Sequence, residues 1–268
     1  METTLKGTVR YDGGAFGGWQ RQANRDSVQA RLEDTLGRIA RVPVAVQGAG
    51  RTDAGVHALG QVFSCRWPGT PPPHLRESLC KILRPQISIT ALETAPDDFS
   101  ARFSATSKRY VYALDLARAA DPFTARHAWH VPHRVDLDLL RELTRPLLGR
   151  HDFAGFQSAG SQMKTTIRTI HEIRLEPGGI LSPVDARDHW RLVFHGDAFL
   201  YKMVRNITGT LVEVARGRFP QDIVHELLAS PGPFLGHCAP AHGLALLEVR
   251  YDGPRRKRVE DPVENAPA

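Results

Sequence analysis

Cysteine is scarce in this 268-residue chain: Cys65, Cys80 and Cys238 are odd in number, widely spaced and free of any C-x-x-C pair. That excludes a disulfide framework and offers no zinc-site spacing. Long apolar runs are also lacking, since none approaches the ~18 residues that cross a bilayer. Met1 to Lys6 have neither the basic start nor the apolar core of a signal peptide, so a reduced, cytoplasmic setting without membrane attachment is expected. No GxxxxGK(S/T) and no GxGxxG opening a helix occur, which removes the usual phosphate cradles. No G-x-S-x-G nucleophile elbow occurs either. His127, His130 and His133 are evenly spaced, but Pro132 interrupts them and Cys or Asp partners are missing, so no metal is expected.

What remains is an ordinary globular composition, 41% hydrophobic and 24% charged, long enough for one large domain or two smaller ones. The net charge is +6, carried far more by arginine than lysine. Guanidinium groups match phosphate oxygens and stack on bases, so the balance favours a polyanionic partner.

Alternation of Leu5, Gly7, Val9 and Tyr11 with Lys6, Thr8 and Arg10 predicts an opening strand. A helix is expected from Asp26, with Gln29 completing a capping box and Val28, Leu32, Leu36 and Ile39 on its apolar face. A strand over Val42–Val46, a loop, and a strand through Val62 and Phe63 follow. Leu75–Leu83 reads as helix and Pro85–Thr94 as β. The polar stretch from Asp97 to Lys108 marks a crossover to a second cycle. There, strands are expected at Tyr110–Leu116, Ile167–Leu175, His189–His195 and Leu244–Tyr251. Helices are expected at Leu137–Leu148, Phe199–Ala215 and Ile223–Leu228, with Pro146 distorting the first. The pattern is α+β: two related mixed or antiparallel sheet subdomains with helices, facing a cleft. The boundaries are 1–105, 106–253 and a disordered tail over 254–268, whose Arg255-Arg256-Lys257-Arg258 run precedes an acidic end.

The loop Gly48-Ala49-Gly50-Arg51-Thr52-Asp53-Ala54-Gly55-Val56-His57 concentrates the chemistry. A carboxylate held beside a guanidinium stays ionised and can act as nucleophile, as base or as half of a structural ion pair. Read by spacing alone, Arg51-x-Asp53 in a Gly-rich loop is more often structural than catalytic.

Set beside Tyr11-Asp12-Gly13, Gly18-Trp19-Gln20-x-Gln22, Gly60-Gln61-Val62, Asp97-Asp98-Phe99-x-Ala101-Arg102-Phe103-Ser104-Ala105, Arg109-Tyr110-x-Tyr112, His151-Asp152-Phe153-x-x-Phe156, Met203-Val204-Arg205-Asn206 and Gly243-Leu244, that loop carries a resemblance. The chain resembles the TruA family of tRNA pseudouridine synthases, over about residues 5 to 251. The resemblance implies the pseudouridine synthase fold and isomerisation of uridine to pseudouridine at positions 38, 39 and 40 of the tRNA anticodon stem-loop. It implies a homodimer acting without metal or nucleotide cofactor. It makes Asp53 the catalytic aspartate, attacking either the sugar C1′ or the pyrimidine ring. Tyr110 would pack on the target base, Arg205 would pair with the carboxylate, and Arg51 would help hold the nucleotide out of its helix. The plainer alternatives are a core tyrosine, a helix-surface or phosphate-binding arginine and a loop salt bridge. The whole-chain alternatives are a paralogous synthase acting on other RNA uridines and a non-catalytic RNA-binding or RNA-folding protein. Lys202 stands where the family commonly has histidine, and Leu79–Pro85 lacks the family's asparagine, so altered RNA contacts are expected at both places.

Overall fold

The computed structural model describes residues 2–160, 165–181, 188–229 and 234–252. The tail expected to be disordered over 254–268 lies outside the described residues. The strands are β1 (Glu2–Tyr11), β2 (Val46–Gly48), β3 (His57–Pro68), β4 (Ile87–Thr94), β5 (Ser107–Asp115), β6 (Trp129–His130), β7 (Gly149–Asp152), β8 (Ile167–Pro177), β9 (His189–Gly196) and β10 (Leu244–Arg250). The helices are α1 (Val28–Ala40), α2 (Leu75–Leu83), α3 (Leu137–Glu142), α4 (Met203–Ala215) and α5 (Ile223–Ala229). None of them is long and apolar enough to cross a membrane.

One sheet runs in the order β4-β1-β3-β10-β5-β9-β8-β7, with β2 on β3 and β6 on β5. Strands from the first 94 residues fill one end and those from residue 107 onward fill the other. They meet where β10 pairs parallel to β3, His57 opposite Ala245 and Ala58 opposite Leu246. On its other side β10 runs antiparallel to β5. Gly60 permits this seam, because a Cβ there would sit 2.5 Å from the Leu247 carbonyl oxygen. Residues paired across strands share a face. Ala58, Leu246, Tyr110 and Phe194 therefore form one row, buried in the main core with Met203, Ile207 and Leu211 of α4. His57, Ala245, Val111 and Val193 form the opposite row, where the last three pack in a smaller cluster with Ala128 and Ile180.

The expected helix at α1 exists, and Val28, Leu32 and Leu36 are fully buried on one face. Each such side chain contributes roughly 2 kcal/mol of burial. Its cap is one residue later than expected: the Ser27 hydroxyl accepts from the Ala30 amide. Asp26 is occupied by the Ser27 amide and by Arg31 at 2.7 Å, while Gln29 donates to the Val46 carbonyl. The strand expected over Val42–Val46 is only β2, Val46–Gly48. Pro43 lacks the amide that a ladder there would need. The helix expected over 137–148 stops at Glu142 and gives way to a 3-10 turn, Arg145–Leu147, around Pro146. The helix expected from Phe199 begins at Met203, because Lys202 takes a left-handed φ of 58°.

Candidate active site

Four carbonyls of the loop between β2 and β3 are pinned. Lys108 Nζ donates to Ala49 O at 2.8 Å, and Gln61 Nε2 to Gly50 O at 2.8 Å. The Trp19 amide donates to Thr52 O at 3.0 Å, and the Val56 amide turns back on Asp53 O at 3.1 Å. Tyr11 Oη and Thr52 Oγ1 share a hydrogen bond of 2.8 Å. Burial raises the Tyr11 pKa to about 12, with Thr52 and Gln61 opposing, so this phenol stays protonated. Gly18 has φ +107° and a Cβ would lie 2.8 Å from Thr52 O, so the close approach of the two loops requires glycine.

Asp53 faces a residue 152 positions away. Arg205 Nη1 donates to Asp53 Oδ2 at 3.1 Å. The side chains are 22% and 13% exposed for Asp53 and Arg205, so water screens this pair less than one on the open surface. Arg205 projects from the first turn of α4 and is held by the segment 234–243. Its Nε donates to Ala239 O at 2.8 Å, and the Ala239 amide returns to Arg205 O at 3.1 Å. Tyr112 Oη donates to Pro240 O at 2.8 Å and fixes the same segment. Gly209 lies beneath it: a Cβ there would collide with the His237 carbonyl and stand 2.8 Å from the Ala239 nitrogen.

Tyr110 approaches this pair from β5. It is only 8% exposed and lies edge-on to Phe199, with ring centroids 5.2 Å apart. Burial pushes its phenol well above the usual range, and the neighbouring Asp53 carboxylate pushes the same way. Asp53, Tyr110 and Arg205 are thus drawn together from a loop, a strand and a helix. Arg51 is not part of the group: it is exposed and has no hydrogen bond or ion pair among the described residues. The carboxylate's cationic partner is the distant arginine, not the adjacent one.

Sequence reasoning missed a second constellation beside the seam. Asp12 Oδ2 accepts from Arg126 at 3.0 Å, and Oδ1 accepts from the Gly14 amide and lies 3.1 Å from His57 Nδ1. The Gly13 amide donates to the same Nδ1 at 3.0 Å. The His57 and His127 rings are tilted at 46° to each other, with centroids 4.8 Å apart. Burial lowers the His57 pKa against the opposing pull of Asp12. Asp12, His57 and His127 each bring a ligand-type atom within 4.8 Å of the others. Both Asp12 oxygens and His57 Nδ1 are already engaged by protein donors, and a guanidinium sits against the carboxylate. This chemistry makes a latch between the two ends of the sheet, not a cation cage. The three evenly spaced histidines diverge: His127 goes to this latch, His130 to the Ala117 carbonyl and His133 to the surface. The signals available beforehand were Tyr11-Asp12-Gly13 and the terminal histidine of the Asp53 loop. A shallow groove of about 670 Å³ between α1 and residues 41–45 contains none of Asp53, Tyr110 and Arg205. Its Arg21 is neutralised by Glu33 and Asp34, each at 2.7 Å.

A family model described as tRNA pseudouridine synthase matches residues 143–252. Over 247 residues the chain is 40% identical to tRNA pseudouridine synthase A of Rhodopseudomonas palustris, covering 91% of this chain and 97% of that protein. It is 39% identical to the protein of the same name from Syntrophotalea carbinolica, over 91% of this chain and 94% of that one. With the Streptococcus gordonii protein of that name it shares 38% identity, over 93% and 99%. A chain from the crystal structure of a Cbf5-Nop10-Gar1 complex superposes only loosely, with TM-score 0.36 and 11% identity. That match covers 90% of this chain and about half (48%) of the other.

Proposed function

The chain belongs to the tRNA pseudouridine synthase A family, isomerases that convert uridine to pseudouridine, and on that premise we propose that it acts at positions 38, 39 and 40 of the tRNA anticodon stem-loop with Asp53 as nucleophile. The reaction changes no composition. The N1–C1′ bond breaks, C5 bonds to C1′, C5 loses its proton and N1 gains one. The observation that carries the reading is the half-buried Asp53–Arg205 pair at 3.1 Å. It fixes a carboxylate beside a tyrosine ring, in a site that must receive a polyanion.

A carboxylate so held can attack the sugar C1′ or the pyrimidine ring, or stabilise a developing cationic sugar. Arg205 holds it by one nitrogen while its Nε is committed to Ala239, which fixes the direction of the guanidinium plane. Tyr110 offers its ring to the rotating base; a base–aromatic stack is worth ~1–3 kcal/mol. A uridine in a stem must first be extruded, at a cost of a few kcal/mol. Arg51, exposed and unengaged among the described residues, is positioned to contribute phosphate or base contacts that offset this. We assign residues 1–105 to the subdomain bearing Asp53 and 106–253 to the one bearing Tyr110 and Arg205. The working unit is a homodimer in the cytoplasm, without metal or nucleotide cofactor.

Unmodified tRNA incubated with the protein and mapped by carbodiimide-dependent reverse-transcription stops tests this. Stops at 38–40 that vanish with Asp53→Ala are expected. Stops elsewhere would move the substrate to other uridines. Retained tRNA binding with no stops at all would leave an RNA-binding protein without turnover.

A further inference from the structure

We propose that Lys108 is a positioning residue that ties the loop carrying Asp53 to the strand carrying Tyr110. This rests on the roles proposed above for those two residues. Lys108 and Tyr110 are two apart on β5 and so point to the same side of the sheet. From there the Lys108 ammonium reaches Ala49 O, 59 positions away in sequence, at 2.8 Å. The next carbonyl, Gly50 O, is held by Gln61 of β3, a residue buried to 0% exposure. Two successive carbonyls are therefore gripped by side chains from two different strands, immediately before Arg51-Thr52-Asp53.

Gly50 is the counterpart of this arrangement. A Cβ there would come 2.8 Å from Lys108 Nζ, so the missing side chain is the space in which the ammonium sits. Glycine at 50 leaves room and Lys108 fills it with a donor. A charge-assisted hydrogen bond to a backbone carbonyl is directional as well as strong. Without it, the buried Ala49 carbonyl loses its donor and the Asp53 carboxylate shifts relative to the Tyr110 ring. Displacements of ~1 Å between reacting groups cost about 100-fold in rate.

A simple phosphate contact predicts something different. Such a lysine would weaken tRNA binding and reduce the slope of log affinity against log salt by roughly 0.9. A positioning lysine changes the rate within the bound complex instead.

The test is single-turnover pseudouridine formation with enzyme in excess, alongside equilibrium tRNA binding across a salt series. Lys108→Met, Lys108→Arg, Gly50→Ala, the Lys108→Met/Gly50→Ala double variant and Asp53→Ala are compared. Lys108→Met is expected to slow the bound complex about 10- to 100-fold and to leave Kd within about 3-fold, with an unchanged salt slope. Lys108→Arg restores a donor and most of the rate. Gly50→Ala displaces the ammonium while keeping the charge and the fold, so it reproduces part of the defect. The double variant is then no slower than Lys108→Met alone, because both remove one interaction. An unchanged rate in Lys108→Met, a loss confined to Kd with a shallower salt slope, or additive defects in the double variant would each overturn the proposal. If Lys108→Met does not fold, Lys108→Gln, which carries no ammonium, with a wild-type rate overturns it. Turnover surviving in Asp53→Ala would refute the nucleophile itself, an outcome separate from all of these.

Discussion

Gly209 offers a test in which local propensity and tertiary packing predict opposite signs. It lies inside α4, where Gly→Ala on an exposed face stabilises a helix by ~1 kcal/mol. Here the new methyl would collide with the His237 carbonyl and press on the Ala239 nitrogen 2.8 Å away, both backbone atoms that cannot rotate aside. Overpacking of this kind costs ~1–3 kcal/mol. Moving the segment also lengthens the bond from Arg205 Nε to Ala239 O, now 2.8 Å. A hydrogen bond to a charged group is worth ~1.5–3 kcal/mol. Taking central values and offsetting the propensity gain, Gly209→Ala should lose about 3 kcal/mol. For a chain of this size that lowers Tm by roughly 6–12 °C. Because Arg205 also holds Asp53, the rate of the bound tRNA complex should fall with it. Thermal unfolding by circular dichroism and single-turnover assays measure the two effects. A Tm equal to or above wild type would refute the packing argument. A normal rate at lowered Tm would break the link from the 234–243 segment through Arg205 to Asp53.

Tyr11→Phe removes the buried hydrogen bond to Thr52 and leaves that hydroxyl unsatisfied. A loss of about 1–3 kcal/mol is expected in urea unfolding, and a change under 0.5 kcal/mol would contradict it. Burial lowers the pKa of His57, His195 and His242 below 6.5, so the unfolded chain binds protons more readily than the folded one in the window below that value. Stability should therefore decline as pH falls from 7 toward 5, and His57→Asn should flatten that slope; an equal slope in the variant would refute the assignment. Tyr110→Phe keeps the ring against Phe199 and should bind tRNA within about 3-fold of wild type. Complete loss of binding in a gel-shift assay would argue against stacking.

Much of the secondary structure follows from local rules. Leu75, Leu79 and Leu83 at helical spacing mark α2, and the alternation of Leu5, Val9 and Tyr11 marks β1. The structure departs from local rules where one residue outvotes its neighbours. Pro43 denies the valine-rich stretch before Val46 a ladder, Pro146 divides the 137–148 helix, and the left-handed Lys202 delays α4 by several residues. The cap is Ser27 and not Asp26 because aspartate and serine are comparable caps and only the fold decides which faces the helix. The site was less legible. Spacing could not reveal that Asp53 pairs with Arg205 and leaves Arg51 free among the described residues, because that contact closes over 152 positions. It was expected only through resemblance to a family. The Asp12–His57–Arg126 latch is hidden for the same reason: Asp12 and His57 each sit in a motif, but its members come from three separate segments and only the fold joins them.

The most direct test of the account is release of tritium from tRNA labelled at C5 of its uridines, measured with Asp53→Asn in excess over substrate. Asparagine preserves the size of the side chain and a hydrogen-bond acceptor for Arg205, but it carries no charge and is a poor nucleophile. No tritium release above background is expected while tRNA binding is retained. Release at a rate within 10-fold of wild type would contradict it.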